Sequence, residues 1–133
     1  MSKNFVLKSR ESKLWRDTYF HKQLGLKAAK IVEQILPIFE KERPKDGRPR
    51  KAMKAILAWA QGRQKLGMSE VRKLSLDAHA AARVVNAGRA KFVAHAAGHA
   101  IATWHVPTHA LGAFFYAGKA LAVKNTVSRR AES

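Results

Sequence analysis

Imidazole is the group in this sequence with the widest chemical range. Five of the six histidines fall in the C-terminal half, at His79, His95, His99, His105 and His109. Two pairs, His95/His99 and His105/His109, are spaced i,i+4. On a helix that spacing sets two imidazoles on one face, where they can ligate zinc, copper or nickel. If helices over 89–104 and 108–124 form a hairpin, His99, His105 and His109 lie near its turn, and a three-histidine site is geometrically conceivable. The surroundings argue otherwise. No carboxylate is close in sequence to serve as a further ligand, a base or a supporting acceptor, apart from Asp77. The spacing is not His-Glu-x-x-His. Histidines among alanines also satisfy backbone carbonyls and helix ends inside a tight bundle. Structural hydrogen bonding is therefore the main expectation, with a metal site or a partner contact as alternatives.

Other routes to catalysis are thin. Ser69 and Ser75 lack a nucleophile-elbow context. The glycines are scattered, without a phosphate-binding loop, and no carboxylate pair stands out. Asp77, His79 and Arg83 can form a polar cluster on one helix, read as a structural ion pair. With no cysteine, a disulfide framework, a thiolate metal site and a thiol nucleophile are excluded. The sequence points to no catalytic residue, no metal and no cofactor.

The second chemical feature is charge. Lys and Arg number 26 against 9 Asp and Glu, a formal net charge of +17. No acid occurs between 78 and 131. The densest cationic piece is 43–54, with Arg43, Lys45, Arg48, Arg50, Lys51 and Lys54 against Asp46 alone. Four of these cations crowd a predicted helix N-terminus, where each opposes the helix dipole by roughly 0.3–1 kcal/mol. An arrangement that costs local stability suits an anionic partner; the plainer reading is a solvated face partly neutralised by Glu40 and Glu42. Charge of this size accelerates encounter with acidic partners and binds nucleic acid non-specifically through counterion release. No zinc-finger spacing, aromatic RNP sequence or convincing helix-turn-helix accompanies it. Trp15, Trp59 and Trp104 read as core anchors rather than base-stacking platforms.

These groups must be positioned by helices. The chain has 133 residues, enough for one domain. Residues 1–12 read as a basic flexible arm, 13–125 as the helical domain, and 126–133 as a flexible tail. Leu14-Trp15 and Tyr19-Phe20 suggest a short helix or an extension of the next. Leu24, Ala28, Ile31, Val32, Ile35 and Phe39 form a stripe of 3.6-residue period. Pro37 should kink this helix or end it near Leu36. After the loop of 43–51, Pro49 suits the first position of a helix whose buried face is Ala52, Met53, Ile56, Trp59 and Ala60, with Gly62 able to end it. Ser69 is the expected N-cap of the next, followed by Glu70, with Val71, Leu74, Ala78, Ala81, Ala82 and Val85 inward and a break at Asn86-Ala87-Gly88. The helix over 89–104 is small or apolar nearly all round, the pattern of a central helix. Val106-Pro107-Thr108 restarts a last helix, about 108–124, carrying Leu111, Phe114, Phe115, Gly118 and Leu121. No segment alternates with period 2. The expectation is an all-α, single-domain antiparallel bundle of about five helices. No secretory signal or apolar run of transmembrane length is present, so a cytoplasmic protein without a membrane partner is expected.

Several short pieces occur together in an informative order. They are Ile35-Leu36-Pro37-Ile38-Phe39-Glu40, Asp46-Gly47-Arg48-Pro49-Arg50-Lys51-Ala52 and Ala58-Trp59-Ala60-Gln61-Gly62. Further on come Ala78-His79-Ala80-Ala81-Ala82-Arg83, Ala97-Gly98-His99-Ala100-Ile101-Ala102-Thr103, His105-Val106, His109-Ala110 and Tyr116-Ala117-Gly118-Lys119-Ala120. Over about 14–124 the chain resembles the immunity proteins of bacterial polymorphic toxin systems, specifically the all-helical immunity-protein-five-like domain. The resemblance implies a helical protein that binds and neutralises a cognate toxin in the producing cell. It supplies no catalytic residue. The matching polar positions are Arg48, Arg50, His79, Arg83, His99, His105 and His109. The expected function is non-catalytic occlusion of an acidic toxin, with the 43–54 cations as the partner-binding surface. A small nucleic-acid-binding protein and a histidine-ligated metalloprotein are the alternatives.

Overall fold

The computed structural model describes residues 16–86 and 88–132, those from 123 onward as backbone only. It contains five helices: α1 (Tyr19–Glu42), α2 (Arg48–Ala60), α3 (Met68–Arg83), α4 (Arg89–Ala102) and α5 (His109–Glu132). No strand occurs among the described residues, and the fold is the expected all-α bundle. The arm expected over 1–12, and Leu14 and Trp15, lie outside the described residues. No helix among those described is long and apolar enough to cross a membrane.

The start of α1 is set by Thr18, whose side chain accepts from the His21 N–H at 3.2 Å. Tyr19 and Phe20 extend this helix and are exposed. Pro37 does not end it: α1 continues to Glu42. A mid-helix proline costs about 3 kcal/mol, but Pro37 sits on the solvent side while Ile35, Leu36 and Phe39 are buried opposite it. Core packing on both sides of the proline holds the helix together. Pro49 is the second residue of α2 rather than the first, still within the turn whose N–H groups have no intrahelical acceptor. Gly62 adopts φ 76° just beyond the end of α2, a left-handed conformation that suits glycine. The N-cap of α3 is Gly67, not Ser69. The Val71 N–H already bonds the Gly67 carbonyl at 3.0 Å, so Ser69 falls inside the first turn beside Glu70. The break after α3 is real, with Gly88 at φ 83°. The last helix runs past 124 to Glu132.

Helix α4 packs against all four others, the central place its composition predicts. It buries Ala90, Val93, Ala94, Ala96, Ala97, Gly98, Ala100 and Ile101. Facing it, α5 buries Ala110, Ala113, Ala117 and Ala120. Small side chains on both sides let the two backbones approach closely. The large apolar residues that mark α5 in the sequence are not the ones it buries. Leu111, Phe115 and Leu121 remain 67%, 58% and 46% exposed. The bulky core lies at the other end, where Trp59, Phe39, Leu36, Met53 and Ile56 from α1 and α2 are fully enclosed. Trp59 and Trp104 are both buried, as core anchors should be.

Candidate functional site

Four histidines from three helices meet in one seam. His79 comes from α3, His95 and His99 from α4, and His109 from the first residue of α5. His79 Nδ1 and His95 Nδ1 are 2.7 Å apart, and His99 Nδ1 and His109 Nδ1 are 3.4 Å apart. The two pairs are joined by His79 standing edge-on to His99 at 5.1 Å between ring centres. Tyr116 closes the row, stacked on His99 at 5.3 Å and tilted against His95 at 5.2 Å. Two glycines make room for the rings. A Cβ on Gly98 would stand 2.5 Å from His79 Nε2, and one on Gly112 would stand 2.6 Å from His99 Nδ1.

The chemistry of the seam follows from its partners. A contact between two Nδ1 atoms requires one ring to donate and the other to accept, so each pair is held in complementary neutral tautomers. Burial lowers the pKa of all four histidines. His79 is pushed down to about 4, first by burial, then by His99, His95 and Arg83. His95 is lowered further by Lys91 and Arg83, His99 by His109 and His95, and His109 by His105. Asp77, the nearest carboxylate in sequence, is taken by Lys73 at 2.6 Å, so the triad of Asp77, His79 and Arg83 does not form an ion pair. Ser75 Oγ donates to the Gly98 carbonyl at 3.0 Å. Among the described residues no group of three or more His, Cys, Asp or Glu is arranged to hold a metal ion. His99 and His109 do meet, but the third histidine considered with them, His105, is exposed in the turn between α4 and α5. Arg83 is likewise exposed, at the end of α3.

The cationic loop between α1 and α2 divides into two kinds of side chain. Arg48 makes a two-pronged pair with Asp46, Nε to Oδ1 at 2.9 Å and Nη2 to Oδ2 at 2.7 Å. Arg50 does the same to Glu40, with both contacts at 2.6 Å. Arg43 approaches Asp46 at 3.9 Å. These guanidinium groups hold the carboxyls of Asp46 and Glu40 below the usual carboxylate range. Asp46 also accepts from the Arg48 backbone N–H at 3.2 Å, which offsets the crowding of cations at the start of α2. Lys45, Lys51 and Lys54 are exposed and form no ion pair among the described residues. Lys51 and Lys54, with Arg63, rim a groove of about 600 Å³ between α2 and α3, floored by Leu57, Ala58 and Leu74.

Sequence reasoning missed two arrangements. The convergence of His79 with the α4 histidines links positions 16 and 20 residues apart, and its only local signal is the glycine beside His99. The other is a latch before α1. Asp17, at φ 65°, accepts from Trp59 Nε1 at 2.7 Å, while its own N–H donates to His21 Nδ1 at 3.1 Å.

Residues 17–133 match the family described as Imm-5 like putative immunity protein. The match spans nearly the whole chain, and the protein belongs to that family. No curated protein and no solved structure matches it.

Proposed function

We propose that the protein binds a cognate bacterial toxin of a polymorphic toxin system and neutralises it by occlusion, without chemistry of its own. Membership of an immunity-protein family over residues 17–133 carries this reading. The charge supports it. A net +17 draws an acidic partner inward and raises the encounter rate. In the 43–54 loop we assign the two roles separately. Arg43, Arg48 and Arg50 brace the corner through Asp46 and Glu40, and Lys45, Lys51 and Lys54 meet the acidic face of the toxin. The seam histidines, Arg83 and His105 serve the scaffold or its rim rather than a reaction. On this reading the protein acts in the cytoplasm of the producing cell.

The test is co-expression with a toxin encoded by a gene next to this one in the genome, identified by sequencing the locus. The expected results are rescued growth and a stoichiometric complex of the purified proteins. Replacing Lys45, Lys51 and Lys54 by Ser should slow association about tenfold at low salt and leave dissociation nearly unchanged. Rescue without any complex would overturn occlusion. The same charge favours nucleic acid through counterion release, so DNA binding that persists at physiological salt and displaces the toxin would favour that second reading.

A further inference from the structure

The outward face of α5 carries three exposed large apolar side chains among the described residues, Leu111, Phe115 and Leu121. Leu111 and Phe115 are spaced i, i+4, the bare surface of Gly118 continues the line at i+7, and Leu121 flanks it, while Phe114 at its edge is half-buried against the core. From Leu111 to Leu121 the stripe rises about 15 Å along one axis, the footprint of a second helix laid alongside. It is not an inward face left uncovered, because the alanines of α5 already make the contact with the bundle. One cation is fixed within it. Lys119 Nζ lies 5.0 Å from the centre of the Phe115 ring and 5.1 Å from that of Phe92. An ammonium held between two aromatic rings has already lost much of its freedom, which lowers the cost of pairing it with a carboxylate. No acid lies anywhere in 78–131 to compete for it.

The 43–54 loop has the opposite character. None of the exposed large hydrophobic side chains lies there, so beside the apolar floor of the groove at Lys51 and Lys54 it offers charge but no protruding anchor. Binding energy concentrates on aromatic and apolar anchors that become buried, whereas peripheral charge mainly sets the rate. Resting on the reading above that the protein acts by binding another protein, we propose that the outward face of α5 docks an acidic amphipathic helix of the partner. Leu111 and Phe115 are the anchors, and Lys119 is the counter-ion to a partner carboxylate.

The test uses the full chain and a synthetic amphipathic helix with leucines on one face and glutamates flanking them, against the same peptide with lysines in place of glutamates. By fluorescence anisotropy the glutamate peptide should bind at least tenfold more tightly than the lysine peptide. Phe115→Ser should weaken it at least tenfold and Lys51→Ser less than threefold, with helical content and Tm kept, since both side chains are exposed. Lys119→Met should narrow the difference between the two peptides. Equal binding of both peptides, or a Phe115→Ser variant that binds normally, overturns the proposal. So does a dimer of the free chain that Phe115→Ser dissolves, which would make a second copy the occupant. Phosphatidylglycerol vesicles that bind through Phe115 more tightly than the peptide would assign the face to a membrane and overturn it as well. Hydrogen exchange in residues 1–15 of the free chain that rises in Phe115→Ser would assign the face to the chain's own N-terminal segment, with the same consequence. Failure of toxin rescue with peptide binding intact removes the toxin reading alone. Rescue kept by Phe115→Ser but lost with the lysine variants removes only the α5 proposal.

Discussion

His21 and the seam of His79, His95, His99 and His109 put the same side chain to two uses. His21 is buried with both ring nitrogens assigned by backbone groups. Nδ1 accepts from the Asp17 N–H at 3.1 Å, and Nε2–H donates to the Thr103 carbonyl at 2.9 Å. Its edge meets Trp59 at 4.6 Å between ring centres. Burial lowers its pKa, the Thr103 carbonyl and Asp17 pull the other way, Arg16 and Lys22 add to the lowering, and the net shift is downward. In the seam every named influence lowers the pKa, and each comes from burial or from another base or cation. A ring fixed by backbone dipoles is a fastener with one state. Rings that satisfy one another hold only while the supply of protons is right. What faces the nitrogens, not how deeply the ring is buried, separates the two.

The largest expected effect lies on the fastened side. Trp59→Ala removes an enclosed indole, its hydrogen bond to Asp17 at 2.7 Å and the wall behind His21. It should cost about 3–5 kcal/mol of stability in urea unfolding. A cost under about 1 kcal/mol, small for such a truncation, would mean that the latch holds nothing. On the seam side, Gly98→Ala places a methyl 2.5 Å from His79 Nε2. The ring must move off His95, with an expected loss of about 1–3 kcal/mol and altered imidazole NMR signals for both histidines. Gly118→Ala, in open space on the same bundle, should be neutral or stabilising by up to about 1 kcal/mol. The pH dependence sharpens the comparison most. Histidines whose folded pKa lies below the ordinary 6.5, with His79 at about 4, take up more protons when unfolded. Their contribution is full above about pH 6.5 and falls as the pH drops toward 4. Stability should therefore decline by on the order of 1–2 kcal/mol between pH 7 and 5, and His79→Gln should flatten that decline.

Much of the fold was legible because glycine and proline punctuate it. Gly62, Gly88 and Pro107 mark where α2 ends, where α4 begins and where α5 approaches its start. The central place of α4 was legible from its small side chains. Pro37 did not end α1, one of its two expected effects, because propensity is local and the burial of Leu36 and Phe39 that overrides it is not. The inner face of α5 was hidden because hydrophobicity scales rank Leu and Phe above Ala. Against an alanine-rich partner helix, close backbone approach outweighs side-chain size. The candidate site was legible only in part. The i,i+4 pairing of His95 and His99 can be read on one helix, but His79 joins them through tertiary packing. Likewise the charge of 43–54 is plain in the sequence, whereas the pairing of Arg50 with Glu40 depends on the angle at which α1 and α2 meet.

The alanine contact between α4 and α5 has a consequence for how such a chain can change over generations. Where fully buried alanines face one another and a Cβ on Gly98 or Gly112 would run into a histidine ring, an added methyl forces a neighbour to move, so the interior of this half of the molecule tolerates few larger side chains. Novelty is left to the residues that point outward from α5, which can be exchanged without disturbing the frame that displays them. On the reading proposed above, a protein built this way can follow a drifting target by rewriting its outer skin alone.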